Sequence, residues 1–135
     1  MLNIFLAEDN PADVFLVRLA LDESDISHEM YLATDGQQAL NYVGQMGKSG
    51  TPCPDLLLLD MNLPKVDGIG VLAEFRLHSQ CTGTPVIMVT SSYAVKDRER
   101  VAALGVDRYF CKPSELGAYM RLGGVVLDVM AEKAA

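Results

Sequence analysis

Glu8 and Asp9 follow the apolar run 2–7, Asp60 closes the run 55–60, Thr90 closes the run 85–90, and Lys112 follows Tyr109, Phe110 and Cys111. If these residues meet in space, three carboxylates and one ammonium share a site. Like charges 4 Å apart repel by roughly 4 kcal/mol at an effective dielectric of 20, so a bound cation is the natural relief. Hard oxygen ligands without histidine or thiol favour Mg2+, which takes one or two carboxylates and fills its other positions with water, carbonyl and phosphate oxygens. Such a metal recruits a phosphoryl donor. A carboxylate can attack phosphorus to give an aspartyl-phosphate, and a metal and a lysine are the positive groups that stabilise the transferring oxygens. Lys112 suits that second role.

The elements that must position these residues can be read from the same chain. Five short apolar runs, 3–7, 29–33, 55–59, 85–89 and 108–111, alternate with helix-like segments. The third and fourth runs are apolar throughout, as strands covered on both faces of a parallel sheet are. This predicts an α/β, doubly wound sheet, whose strand carboxyl ends form one ligand-binding rim. Helices are expected at 11–21, with Asn10 as N-cap and Pro11 at the first position, at 36–46 behind Asp35, at 67–77, and at 95–104, closed by Gly105. A last helix at 114–133, capped by Ser114, carries Leu116, Met120, Gly123, Leu127 and Met130 on one face. Gly123 and Gly124 within it imply a close contact or a bend. The Gly- and Pro-rich stretch 44–54 reads as an exposed connection.

The chain of 135 residues fits one domain, 1–135, with no appended output module. Its net charge of −7 argues against direct nucleic-acid binding, which needs a clustered positive surface. No apolar stretch approaches a membrane span of roughly 20 residues, and the amino terminus lacks a basic signal-peptide region, so a soluble cytoplasmic protein is expected. Cys53, Cys81 and Cys111 have no metal-type spacing and read as reduced thiols.

Glu8-Asp9, Asp60, the run 60–68, Thr90-Ser91 and Lys112-Pro113, in that order on successive strand ends, resemble the receiver domain of bacterial two-component response regulators. Thr90 lies 30 positions beyond Asp60 and Lys112 lies 22 beyond Thr90, as in that family. The resemblance implies a flavodoxin-like strand order 2-1-3-4-5. It implies Asp60 as phosphoacceptor, with Glu8, Asp9, Asp60 and the main-chain carbonyl of Asn62 holding Mg2+. Lys112 and Thr90 would contact phosphate oxygens, and Thr90 and Tyr109 would form the switch. Asn62 and Ser92 match positions that tune phosphate lifetime, and Lys112-Pro113 would be cis. A protein of this kind is no enzyme beyond its own phosphorylation and dephosphorylation, and its partner is a sensor histidine kinase. The run 8–14 and the long connection before Pro54 resemble the stand-alone regulators that serve phytochrome-type kinases.

Two rivals share some of these features. Haloacid-dehalogenase-like phosphohydrolases also form an aspartyl-phosphate, yet carry a second acid two residues on, where this chain has Asn62. A degenerate receiver would bind partners independently of phosphorylation. Asp13 and Asp55 read as structural, His28 and His78 as surface residues, and 96–100 as a solvated helix face or a docking surface beside the switch. The apolar excess of the last helix, including Val125, Val126 and Val129, suggests a homodimer contact.

Overall fold

The computed structural model describes residues 1–48, 50–81 and 83–134. In chain order the elements are β1 (Leu2–Ala7), α1 (Pro11–Glu23), β2 (His28–Ala33), α2 (Gly36–Gln45), β3 (Leu56–Leu59), α3 (Gly68–His78), β4 (Val86–Thr90), α4 (Val95–Ala103), β5 (Arg108–Cys111), α5 (Leu116–Tyr119) and α6 (Arg121–Ala134). The strands form one parallel sheet in the order β2-β1-β3-β4-β5, as expected. All four leucines of β3 are fully buried, because side chains alternate between faces and both faces are covered. Leu57 and Leu59 join Val71, Leu72 and Phe75 of α3, and Leu56 and Leu58 join Val17 and Leu21 of α1 with Leu122 and Val126 of α6. Neither layer is made by one stretch of sequence.

The expected caps form where a short acceptor precedes a helix. Asn10 accepts from the Ala12 N–H at 2.9 Å and Asp35 from the Gln38 N–H at 2.8 Å. Gly105 takes the left-handed conformation at φ 81°.

The carboxyl-terminal part departs from expectation. One helix from Ser114 is replaced by α5, whose N-cap is Glu115, and by α6. The buried stripe is Tyr119, Leu122, Val126 and Val129, whereas Leu116 and Leu127 are 54% and 49% exposed. The break shifts the helical phase, so a spacing counted across it selects the wrong face. Gly123 does mark a close contact: a Cβ there would lie 2.6 Å from the Ala20 carbonyl oxygen, so α6 approaches the backbone of α1. Gly124 faces open space and has no such reason.

Two further expectations are corrected. The Lys112–Pro113 bond is trans, the form that most X–Pro bonds favour. Cys53 and Cys81 form a disulfide rather than standing as thiols, while Cys111 is free. The pair is 28 residues apart and becomes adjacent because β3 and β4 are neighbours, bringing together the connections that lead into them. Closing a loop of that size removes about 3–4 kcal/mol of unfolded-chain entropy. Reduction is therefore expected to lower the free energy of unfolding by about 3 kcal/mol, which urea unfolding with and without a dithiol measures. No helix among the described residues is long and apolar enough to cross a membrane.

Candidate functional site

The sheet register brings the chemistry to one rim. Ala7 is level with Leu59, and Thr90 with Cys111, so Glu8, Asp60 and Lys112 leave the sheet side by side as the next residues of their strands. Backbone bonds fix these exits: the Asp60 N–H donates to Ala7 at 3.0 Å and the Lys112 N–H to Thr90 at 2.7 Å. Gly68 completes the cradle. A Cβ there would stand 2.0 Å from the Asp60 carbonyl oxygen, so the start of α3 packs on the main chain of Asp60 with no room for a side chain.

The Lys112 ammonium spends its three N–H groups on carboxylates: Glu8 at 2.6 Å, Asp13 at 3.0 Å and Asp60 at 3.0 Å. Lys112 thus offsets part of the repulsion among these carboxylates. Burial works against the lysine's charge, but the Glu8 hydrogen bond and the charges of Asp60 and Glu8 prevail and hold it above its ordinary range. The ammonium is consequently a fixed cation throughout neutral pH. Burial drives Glu8 the other way for an acid, raising it from 4.5 to about 7, with the Lys112 bond opposing and the Asp60 charge reinforcing the rise.

One oxygen each from Glu8, Asp9 and Asp60 lies within 4.8 Å of the others, an all-oxygen donor set that suits a hard divalent cation. Asp9 is exposed and borders an open cleft with Met61 and Asn62. The Asn62 N–H donates to Asp60 Oδ1 at 3.2 Å, which sets the loop after β3 against the same carboxylate.

A pH dependence follows from Glu8. The folded chain keeps a proton on Glu8 between pH about 4.5 and about 7 that the unfolded chain releases, so without metal stability falls across that window by up to about 3 kcal/mol. A cation needs the carboxylate form. Its affinity is expected to drop about tenfold for each pH unit below about 7, as calorimetric titration at pH 5.5 and 7.5 would show.

Thr90 is wholly buried. Its hydroxyl oxygen accepts from the Ser92 N–H at 3.3 Å, and the Tyr109 hydroxyl donates to the Ser92 carbonyl at 3.0 Å. Ser92 also donates through its own hydroxyl to Asp97 of α4 at 2.6 Å. The Arg98 guanidinium stands 5.0 Å over the Tyr109 ring. Ser92 thus tethers Thr90 to both Tyr109 and α4. The charged segment 96–100 lies beside this tether.

Asp13 is the residue the sequence reading undervalued. It lies in the first turn of α1, behind the N-cap Asn10, where acidic residues are common, so its type gave no distinguishing signal. Asp55 is structural, accepting from the Asn3 N–H at 2.8 Å. His28 bonds the Ile26 carbonyl and His78 pairs with Glu74, both away from the rim.

Comparison with known proteins finds relatives over most of the chain. Residues 4–121 fit the response regulator receiver domain. Response regulator Rcp1 of Synechocystis sp. is 39% identical over 114 residues, 84% of this chain and 78% of Rcp1. The phosphorylated cyanobacterial phytochrome response regulator RcpA superposes with a TM-score of 0.86 at 34% identity, covering 99% of this chain and 96% of RcpA. The Mn(2+)-bound form of Rcp1 does so with a TM-score of 0.82 at 35% identity, covering 93% and 91%. The chain belongs to the receiver domain family of two-component response regulators.

Proposed function

We propose that Asp60 accepts a phosphoryl group from the phosphohistidine of a sensor histidine kinase, with Mg2+ bound. The observation that carries this reading is the Lys112 ammonium 3.0 Å from Asp60 Oδ2 within an oxygen-only acidic cluster. In the reaction an Asp60 oxygen bonds to phosphorus as the phosphorus–nitrogen bond of the donor breaks, and the imidazole leaves with the bonding pair. Glu8, Asp9, Asp60 and the Asn62 main-chain carbonyl would hold the metal, which would supply positive charge to the phosphate oxygens. Lys112 turns to one phosphoryl oxygen and the Thr90 hydroxyl donates a hydrogen bond to another. Through Ser92 that movement biases Tyr109 and α4 between two arrangements that already exchange. The metal reading is supported by the Mn(2+)-bound form of Rcp1, and the kinase class, phytochrome-type, by the likeness to RcpA.

In this reading the protein works in the cytoplasm as one receiver domain, and its chemistry is its own phosphorylation and dephosphorylation. Its signal leaves by protein contact, by relay of the phosphoryl group to another carrier or by control of the kinase's own phosphate level. Exposed Leu116 and Leu127 fit a homodimer contact through the last helices, which sedimentation tests. The central experiment is intact-mass measurement after incubation with acetyl phosphate and Mg2+. One acid-stable, base-labile phosphoryl adduct that disappears with EDTA is expected; no adduct, or an EDTA-indifferent one, contradicts the reading.

A further inference from the structure

Among the described residues the Tyr119 hydroxyl is the one buried side-chain polar atom without a hydrogen-bond partner. Tyr119 is 2% exposed, on α5, with its ring edge-on to Phe110 at a centroid distance of 6.0 Å. Phe110 lies two residues before Lys112, and α5 packs on α1, which carries Asp13. Burial first, then the charge of Asp13, raise the phenol well above its ordinary value; Glu8 and Asp60 add to this and Lys112 opposes it. The hydroxyl thus feels the charges of the rim cluster and keeps its proton at any physiological pH. It is a permanent donor with nothing to donate to. Native proteins rarely retain such a group without a functional reason or an ordered water.

The acceptor it lacks becomes available in the reaction. All three Lys112 donors are engaged at rest, so contact with a phosphoryl oxygen requires one to be given up. Glu8 has a second bond from the Asn10 N–H and Asp60 one from the Asn62 N–H. Asp13 holds no other hydrogen bond or ion pair among the described residues and stands outside the metal-binding trio. Losing Lys112 would leave its carboxylate unpaired.

Resting on the phosphoryl-transfer reading, we propose that Tyr119 is a positioning residue whose hydroxyl takes over the Asp13 carboxylate when Lys112 turns to the phosphoryl group on Asp60. No proton changes hands. Asp13 exchanges one charge-assisted hydrogen bond for another, and the orphaned hydroxyl is satisfied only in the phosphorylated arrangement.

Removing the oxygen therefore has opposite effects on the two states, which a packing role does not produce. In the full chain, Tyr119→Phe is expected to leave the resting thermal midpoint equal to or above that of the wild type. It should weaken binding of the phosphoryl mimic beryllofluoride with Mg2+ about tenfold, one hydrogen bond's worth. In an Asp13→Ala background the same change should have no effect on that affinity. Unaltered beryllofluoride affinity in Tyr119→Phe, or a loss that persists without Asp13, overturns the proposal. A second readout needs no variant: the Tyr119 hydroxyl proton resonance should move downfield on adding beryllofluoride, and an unmoved resonance equally overturns it. If the wild type binds no beryllofluoride, the phosphoryl-transfer reading itself fails and this inference with it.

Discussion

Asp60→Asn is expected to reduce phosphoryl uptake from acetyl phosphate to background, the largest effect of any single change in this chain. The substitution keeps the side chain's shape in a site where Asp60 is 4% exposed, but the amide oxygen is no nucleophile and cannot form the acyl phosphate. It also removes one of the three charges on Lys112 and one of the three metal oxygens. Since the Asp60 charge is among the causes that raise Glu8, the variant's Glu8 should titrate nearer its ordinary value. Intact-mass spectra of wild type and variant in parallel, with a pH titration of thermal stability, check both consequences. Adduct of equal yield in the variant would place the acceptor elsewhere.

Lys112→Ala is expected to act twice. At rest it strips the cation from Glu8, Asp13 and Asp60, all at 20% side-chain exposure or less, leaving carboxylates crowded and uncompensated. Breaking a buried pair in this way typically costs about 3–5 kcal/mol. The sign with pH follows: the cost is largest above about pH 7, where Glu8 is ionised, and shrinks as acid protonates it. Added Mg2+ should restore more stability to the variant than to the wild type, because the ion then provides the only counter-charge. In phosphorylation the variant lacks a preorganised donor to the transferring oxygens, a loss of about 100- to 1000-fold in rate by analogy with removing one oxyanion donor. Urea unfolding at pH 5.5 and 8, with and without Mg2+, separates the stability effect from the rate effect. A variant as stable as wild type at pH 8 without metal would contradict the charge arrangement described here.

Much of this site was legible because parallel sheets impose a simple rule. Strand runs ending at Ala7, Leu59 and Cys111 put the next residue at a common rim, and Thr90 itself ends β4 beside them, so Glu8, Asp60, Thr90 and Lys112 could be grouped from the sequence. Asn10, Asp35 and Gly105 were readable for an equally local reason, since a cap is satisfied within a few residues. What escaped depends on how distant segments meet. Asp13 matters because Lys112, 99 residues away, reaches it, and Cys53 meets Cys81 because β3 lies beside β4. The break between α5 and α6 has no glycine or proline at Met120 to announce it, and it reassigned the buried face from Leu116 and Leu127 to Tyr119, Leu122, Val126 and Val129.

Position within the acidic cluster is the point on which everything else turns, since Glu8, Asp9 and Asp13 surround Asp60 and each is a carboxylate. Reductive trapping of the acyl phosphate after exposure to acetyl phosphate and Mg2+, followed by peptide mapping, assigns the modified residue directly. Modification confined to Asp60 is the expected result. Modification at Glu8, Asp9 or Asp13 in its place would contradict the assignment of Asp60 as the nucleophile and of its neighbours as metal and lysine ligands.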